Sequence, residues 1–204
     1  TTVEGGFVLM NGGSVTGTAF TYGTAGALAF NTTGNYAVAN TAPFWPATAS
    51  PRIVNVLQGG ITMNSASRTV ANTFNIGGTL GVSFTGGATL TMNGDCFINA
   101  GGFFASNSVI YGASSTLTYR SGGTYGRGFE WLANGVGTIG TTPGYPNNVT
   151  LTSNTTLDYN NGAPQAKAMA GNLNIASGST FTMNTGTSSA FPLTVGGNLV
   201  NNGT

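Results

Sequence analysis

Charged residues and histidine are scarce in this sequence. Its 204 residues include five Lys and Arg, four Asp and Glu, one Cys and no His. Charged residues make up 4% of the chain, against about a quarter of an ordinary soluble domain. With a formal net charge of +1, the chain has no strong field to attract nucleic acid or an anionic membrane surface. We therefore expect neither nucleic-acid binding nor membrane insertion.

The missing side chains also restrict the chemistry. A catalytic triad needs a base that His would normally supply, and Lys167 is the only lysine. Glycoside cleavage needs two carboxylates within about 5–10 Å of each other, and the only acids are Glu4, Asp95, Glu130 and Asp158. The single cysteine allows neither a disulfide framework nor a Cys-rich metal site. We expect no catalytic residue, cofactor or metal, and a polysaccharide lyase or hydrolase is the less favoured alternative.

Long apolar runs are missing as well. No run approaches the roughly 18 residues that a transmembrane helix needs, and the first residues lack the basic and apolar regions of a signal peptide. The surface helix formers Lys and Glu are nearly absent, while Thr, Asn, Ser and 34 Gly provide the polarity. This composition predicts an all-β protein. It is also typical of exported proteins, so we expect an extracellular or cell-surface location.

Short strand-like units recur throughout the chain. Each unit has an apolar residue on either side of a mostly polar one, and the units form pairs whose first residues are eight positions apart. One pair is Leu173-Asn-Ile175 with Phe181-Thr-Met183, and the pairs begin at residues 20, 53, 82, 109, 149 and 173. Turn residues rich in Gly, Ser, Thr and Asn separate the two units of a pair. The repeat predicts a parallel β-helix with three short strands per turn.

A β-sandwich built from hairpins is the alternative fold, because strands of this length with short turns would suit it too. Two observations favour the β-helix. Equivalent positions keep the same class of residue from copy to copy, and one copy alone has too few apolar residues for a core. Cys96 is expected in the core. The other expected inward residues are Leu28, Phe30, Ile61, Met63, Leu90, Met92, Leu117, Tyr119, Leu157, Tyr159, Phe181 and Met183.

Two insertions interrupt the repeat and contain both tryptophans. Prolines in residues 40–52 break strand pairing, so this segment is expected to bulge from the coil. The second insertion covers residues 120–148. Its candidate surface-binding loop for glycans consists of Tyr125, Arg127, Phe129, Glu130 and Trp131. The alternative is structural: an Arg–Glu pair fixes the loop while Trp131 and Phe129 pack over the side of the coil.

Threonine pairs form a further pattern. The T-x-T motifs are Thr89 with Thr91, Thr116 with Thr118, and Thr180 with Thr182. If these motifs stacked at the usual strand spacing of about 4.8 Å, their hydroxyls would form a flat grid. Such a grid resembles the ice-binding face of some β-solenoid proteins. The alternative is an ordinary exposed sheet, in which Thr is the favoured polar residue.

The segments 115–131, 144–162, 170–184 and 193–204 resemble repeats in long adhesin-like surface proteins of gliding and related Gram-negative bacteria. The resemblance covers 109–204 well and 1–108 more loosely. It implies a right-handed parallel β-helix in a secreted chain, often exported by the type IX route, with an adhesive or structural role. We expect one β-helix domain over 1–204, as a fragment of a longer chain or a subunit that stacks end to end. Its expected partners are adjoining turns or further copies of itself, together with surface glycans.

Overall fold

The protein consists of short parallel strands. Its structure, a computed structural model, describes residues 1–65, 67–106, 109–126, 128–132, 135–158, 166–183 and 192–204. These residues contain twenty strands and no helix. The strands are β1 Thr2–Val3, β2 Gly6–Met10, β3 Thr21–Tyr22, β4 Ala27–Val38, β5 Ile53–Asn64, β6 Arg68–Val70, β7 Thr73–Ile76, β8 Gly81–Thr85, β9 Leu90–Met92, β10 Asp95–Asn99, β11 Val109–Tyr111, β12 Thr116–Arg120, β13 Thr124–Gly126, β14 Asn148–Leu151, β15 Thr156–Asp158, β16 Lys167–Met169, β17 Leu173–Ile175, β18 Thr180–Thr182, β19 Leu193–Val195 and β20 Leu199–Asn201.

One sheet runs the length of the described chain. Its strands follow the order β2, β4, β5, β7, β10, β12, β14, β17 and β20, which we call the first face, and all of them pair in parallel. Each step along this face is one turn of the chain, so the strands stack as a β-solenoid of about eight turns. The expected all-β parallel solenoid is therefore confirmed. At roughly 4.8 Å per strand, the stack is about 38 Å long.

Each complete turn has three faces. After β14 on the first face, the chain forms β15 on the second face and β16 on the third before it returns as β17. The next turn repeats this with β17, β18 and β19. In the N-terminal half, β6, β9 and β11 make up the third face. Three short strands per turn are thus confirmed for these turns.

Alternation along the strands fills the interior. On the first face, the inward residues form two stacked columns, and the residues between them point outwards. One column is Phe7, Leu28, Val54, Phe74, Cys96, Leu117, Val149, Leu173 and Leu199. Most of these residues are fully buried, including the free thiol of Cys96 as expected. Burying such a side chain contributes about 1.5–3 kcal/mol, so stacked turns stabilise one another.

The predicted phase of the repeat was wrong. Of the six predicted starting points, only residues 53, 149 and 173 lie on the first face. Residue 82 lies on the second face and 109 on the third, and residue 20 directly precedes β3, outside the first face. All three faces use the same inward–outward–inward strand, so a spacing of eight marks one face rather than one turn. Only the interval from 149 to 173 is a single complete turn.

The first insertion does not bulge from the coil. Phe44 and Trp45 are buried, and their rings contact Phe30 at centroid distances of 6.2 and 6.0 Å. The indole Nε1 of Trp45 donates to the carbonyl oxygen of Thr69 on the neighbouring turn, at 3.3 Å. The prolines do prevent strand pairing here. However, Phe44 and Trp45, which lie between Pro43 and Pro46, bury their large apolar rings by packing inwards.

The second insertion is shorter than expected. Residue 120 ends β12, and β13 continues the solenoid on the second face. Further along, the backbone N–H groups of Gly140 and Gly144 donate to the carbonyl oxygens of Tyr111 and Val109, each at 2.8 Å. Residues near 140–144 therefore cover β11 and occupy the third face of this turn. Between β13 and residue 140, none of the described residues belongs to a strand.

The prediction of inward residues fails at Met183. Met183 is exposed and Phe181 only half-buried, because β18 is the outermost strand of its sheet. Tyr159 lies outside the described residues.

Candidate functional site

The predicted surface-binding loop turns out to be largely interior. Glu130 is 0% exposed and Trp131 is 1% exposed, whereas Phe129 between β13 and these residues is 45% exposed. Tyr125 is half-buried and packs against the core. Arg127 lies outside the described residues. The four described residues of this predicted loop therefore do not form one open patch.

The carboxyl group of Glu130 lies among tyrosines inside the solenoid. Its Oε1 accepts hydrogen bonds from the Tyr119 hydroxyl at 3.1 Å and from the Gly128 N–H at 2.9 Å. The Tyr111 hydroxyl donates to the backbone oxygen of Glu130 at 3.0 Å. A Cβ at Gly128 would collide with Oε2, so a larger residue at this position would displace the carboxyl group. Glu130 thus links the loop to two successive turns of the core.

Burial controls the ionisation of this cluster. Loss of hydration raises the pKa of Glu130, although the hydrogen bonds it accepts act in the opposite direction. Burial, followed by the neighbouring carboxylate, raises the pKa of Tyr119 and of Tyr125. Burial likewise raises the pKa of the Cys96 thiol, with further contributions from Glu130 and Asp95. The carboxyl group of Glu130 is therefore a hydrogen-bonded group of the core, closed off from solvent.

Trp131 is a core residue that spans two turns. Its indole Nε1 donates to the carbonyl oxygen of Ala168 at 2.9 Å. Its ring stacks on Phe181, with centroids 6.4 Å apart and planes 22° apart. Trp45 makes the equivalent hydrogen bond in the first insertion. Each tryptophan therefore ties its insertion to the neighbouring turn, which is closer to the structural interpretation of the second insertion than to the glycan-binding one.

The predicted threonine grid does not form. Thr89 and Thr91 belong to the third face, Thr116 and Thr118 to the first, and Thr180 and Thr182 to the second. The T-x-T motif recurs on every face because strands on every face alternate inward and outward residues in the same way. A shorter column does exist on the second face, where Thr124, Thr156 and Thr180 are in register. In the neighbouring column, Gly126 and Asp158 precede Thr182, so no two-dimensional array of hydroxyls results.

A polar row that the sequence did not predict crosses the outside of the first face. Arg120 donates from Nε to Oδ1 of Asn99 at 2.6 Å and from Nη2 to Oδ1 of Asn75 at 2.9 Å. Asn75 in turn donates to Oδ1 of Asn55 at 2.8 Å. The guanidinium carbon lies 3.9 Å from the centre of the Phe97 ring. The predicted second insertion begins at Arg120, whereas the structure places this residue at the end of β12.

An open cleft lies beside the first insertion. It has a volume of about 390 Å³ and separates residues 14–17 from the chain between Tyr36 and Phe44. Arg68 supports one wall from behind: its Nη2 donates to the carbonyl oxygens of Ala39 at 3.0 Å and Asn40 at 2.8 Å. The sequence did carry a signal that Arg68 is buried. Arg68-Thr-Val70 has the spacing of the apolar-x-apolar unit, with Arg68 at the position where other units have an inward apolar residue.

Comparison with known proteins adds no relative. No family model, curated protein or solved structure matches the chain. Within the described ranges, no helix has the length and apolar character needed to cross a bilayer.

Proposed function

We propose that the chain is a non-catalytic structural segment of an exported bacterial surface protein or extracellular filament. The observation that carries this proposal is the continuous parallel pairing of the first face from β2 to β20. Parallel strands in one register build a rod whose length grows with each added turn. A stalk or a filament segment needs this property, because its task is to hold other parts at a fixed distance.

The surface chemistry supports the same role. With 4% charged residues, the outside is hydrated mainly by hydroxyl and amide groups. The five basic residues offer few sites to trypsin-like proteases, and two of them, Arg68 and Lys167, are buried. The resemblance of 109–204 to repeats of adhesin-like proteins, often exported by the type IX route, supports a place on the cell surface. Adhesion would then depend on what the rod presents as well as on its length.

Ice binding is less well supported. It requires a flat array of hydroxyl groups, whereas the three T-x-T pairs lie on three different faces. Thr118 is moreover buried, so one of the six predicted hydroxyl groups is withdrawn from the surface.

The proposal is tested in the producing bacterium with antibodies raised against the purified segment. We expect them to label intact cells or extracellular filaments. Labelling that appears only after the cells are permeabilised would refute an exported surface role.

An exchange experiment separates the structural role from an adhesive one. The segment is replaced, within the native protein, by a solenoid of equal turn number with different outward residues. A structural segment predicts that surface display and attachment are both retained, whereas deletion of several turns reduces attachment. Loss of attachment in the exchanged strain, with display unchanged, would show that the outward residues themselves carry the function.

A further inference from the structure

The cleft beside the first insertion has the size of a binding site. Its volume of about 390 Å³ lies within the range of about 300–1,000 Å³ that is typical of small-molecule sites. One wall is the segment 14–17, and the other is formed by Tyr36 and residues 39–44. Nothing in the rod-like role of the solenoid requires such a cleft.

Aromatic side chains form the inner part of the cleft. Phe44 is buried, and its ring packs edge-on against Tyr36, with centroids 5.7 Å apart and planes 78° apart. Tyr36 also packs against Phe30 at 5.6 Å, so its ring is held in one orientation while part of it stays exposed. A fixed, partly exposed ring of this kind offers a flat apolar surface to a ligand.

The two walls are held in place before any ligand arrives. The Tyr36 hydroxyl donates to the carbonyl oxygen of Gly13 at 3.1 Å, which fixes the wall at 14–17. On the other side, buried Arg68 holds the carbonyl oxygens of Ala39 and Asn40, and the Tyr22 hydroxyl donates to the carbonyl oxygen of Phe44. Preorganised walls reduce the entropy lost when a ligand binds.

The chemistry of the lining selects a neutral, hydroxylated ligand. Every residue that lines the cleft is uncharged, and a charged ligand would lose hydration there without gaining a partner. The exposed hydroxyl groups of Ser14, Thr16 and Thr41 make no hydrogen bond to any described residue. They remain available to a ligand, as do the lone pairs of the Tyr36 hydroxyl. A sugar combines an apolar ring face with a rim of hydroxyls, and therefore matches both parts of this lining.

We propose that this cleft binds a neutral saccharide, with the sugar ring against Tyr36 and sugar hydroxyls hydrogen-bonded to Ser14, Thr16 and Thr41. The site differs from the glycan-binding loop predicted at 120–148, and it does not depend on the structural role of the solenoid. It places the first insertion in a double role. Phe44 and Trp45 anchor the insertion in the core, and the chain between Ala39 and Phe44 shapes the cleft.

The test uses the full chain and a panel of neutral oligosaccharides of glucose, galactose, mannose and N-acetylglucosamine, measured by saturation-transfer NMR and calorimetry. Thr41→Trp places an indole at the exposed rim and fills the cleft. Thr48→Trp is the matched control, because Thr48 is exposed in the same insertion and does not line the cleft. We expect at least one neutral oligosaccharide to bind, with binding at least tenfold weaker in Thr41→Trp and unchanged in Thr48→Trp.

A second variant tests the cleft without filling it. Tyr36→Phe removes the hydroxyl that holds Gly13 but keeps the ring, so the fold is retained and saccharide binding weakens severalfold. Absence of binding to the whole panel would overturn the proposal, as would equal binding by Thr41→Trp and the unchanged protein. A polyuronate and a peptide are measured in the same way. Preferential binding of either in the cleft would also overturn the proposal, because the ligand would then belong to another chemical class.

Discussion

The hydroxyl group of Tyr119 donates a hydrogen bond to Oε1 of Glu130 across 3.1 Å of the solenoid interior. Tyr119 is an inward residue of the first face, and Glu130 belongs to the insertion that follows it. The bond thus joins an irregular segment to the regular stack. It also provides a hydrogen-bond partner for Glu130, which is one of only four acidic residues and is 0% exposed.

Replacing Glu130 by Gln should change how stability depends on pH. Because burial raises the pKa of Glu130 in the folded state, the folded chain retains a proton that the unfolded chain loses above the ordinary value of 4.5. The free energy of unfolding should therefore fall as the pH rises from about 4.5 towards the raised pKa, and level off above it. In Glu130→Gln this fall should disappear. Chemical denaturation at a series of pH values measures it, and an identical slope in both proteins would contradict the assignment.

Two aromatic residues of the second insertion, two positions apart, should differ sharply in their contribution to stability. Trp131→Ala removes a buried ring and its hydrogen bond to Ala168, and should cost about 3–5 kcal/mol. Phe129→Ala is the matched control. Its ring is 45% exposed, so its removal should cost less than about 1 kcal/mol. Urea unfolding curves compare the two, and similar costs would mean that Trp131 is not a core residue.

Arg68 should contribute far more to stability than Arg52. Arg68 is 3% exposed and donates to three backbone carbonyl oxygens, those of Ser67, Ala39 and Asn40. Arg68→Leu leaves these oxygens without their donor and should cost about 2–3 kcal/mol. Arg52 makes one exposed hydrogen bond, to Asn72, so Arg52→Leu should cost less than about 1 kcal/mol. Equal losses in denaturation experiments would contradict the bracing role of Arg68.

The outer row on the first face should show measurable coupling between Arg120 and Phe97. A double-mutant cycle with Arg120→Ala and Phe97→Ala should give an interaction energy of about 0.5–1 kcal/mol, the usual size of a partly exposed cation–π pair. Arg120→Lys keeps the charge but loses the planar fork that reaches Asn75 and Asn99, and should recover only part of the stability. A coupling energy of zero would show that the ring and the guanidinium do not interact.

The fold could be predicted because the apolar-x-apolar unit survives on every face. The same regularity concealed the phase: Leu90, Leu117 and Phe181 look equivalent in sequence but lie on three different faces. A spacing of eight residues is the length of one strand and the corner that follows it. This length is the same on all faces, so it does not identify the face. Only the pairing of whole turns distinguishes the faces, and pairing between distant residues leaves no local mark in a single sequence.

The candidate site was harder to predict, since polarity in this chain does not indicate exposure. Glu130 and Arg68 are ionisable yet interior, because hydroxyl and carbonyl groups of neighbouring turns hydrogen-bond to them. Trp45 and Trp131 lie in irregular segments yet fill the core. The cleft depends on the approach of residues 14–17 to Tyr36, a contact that no motif marks.

The most direct test of the continuous rod is a pair of spin-label distances along one outward column of the first face. Val8, Thr150 and Val200 share this column, six and eight strands apart when counted from Val8. Cys96 is fully buried and should not be labelled. At about 4.8 Å per strand, labels on Val8→Cys with Thr150→Cys and on Val8→Cys with Val200→Cys should lie roughly 29 and 38 Å apart in pulsed electron resonance. A second distance equal to or shorter than the first would contradict a single continuous solenoid.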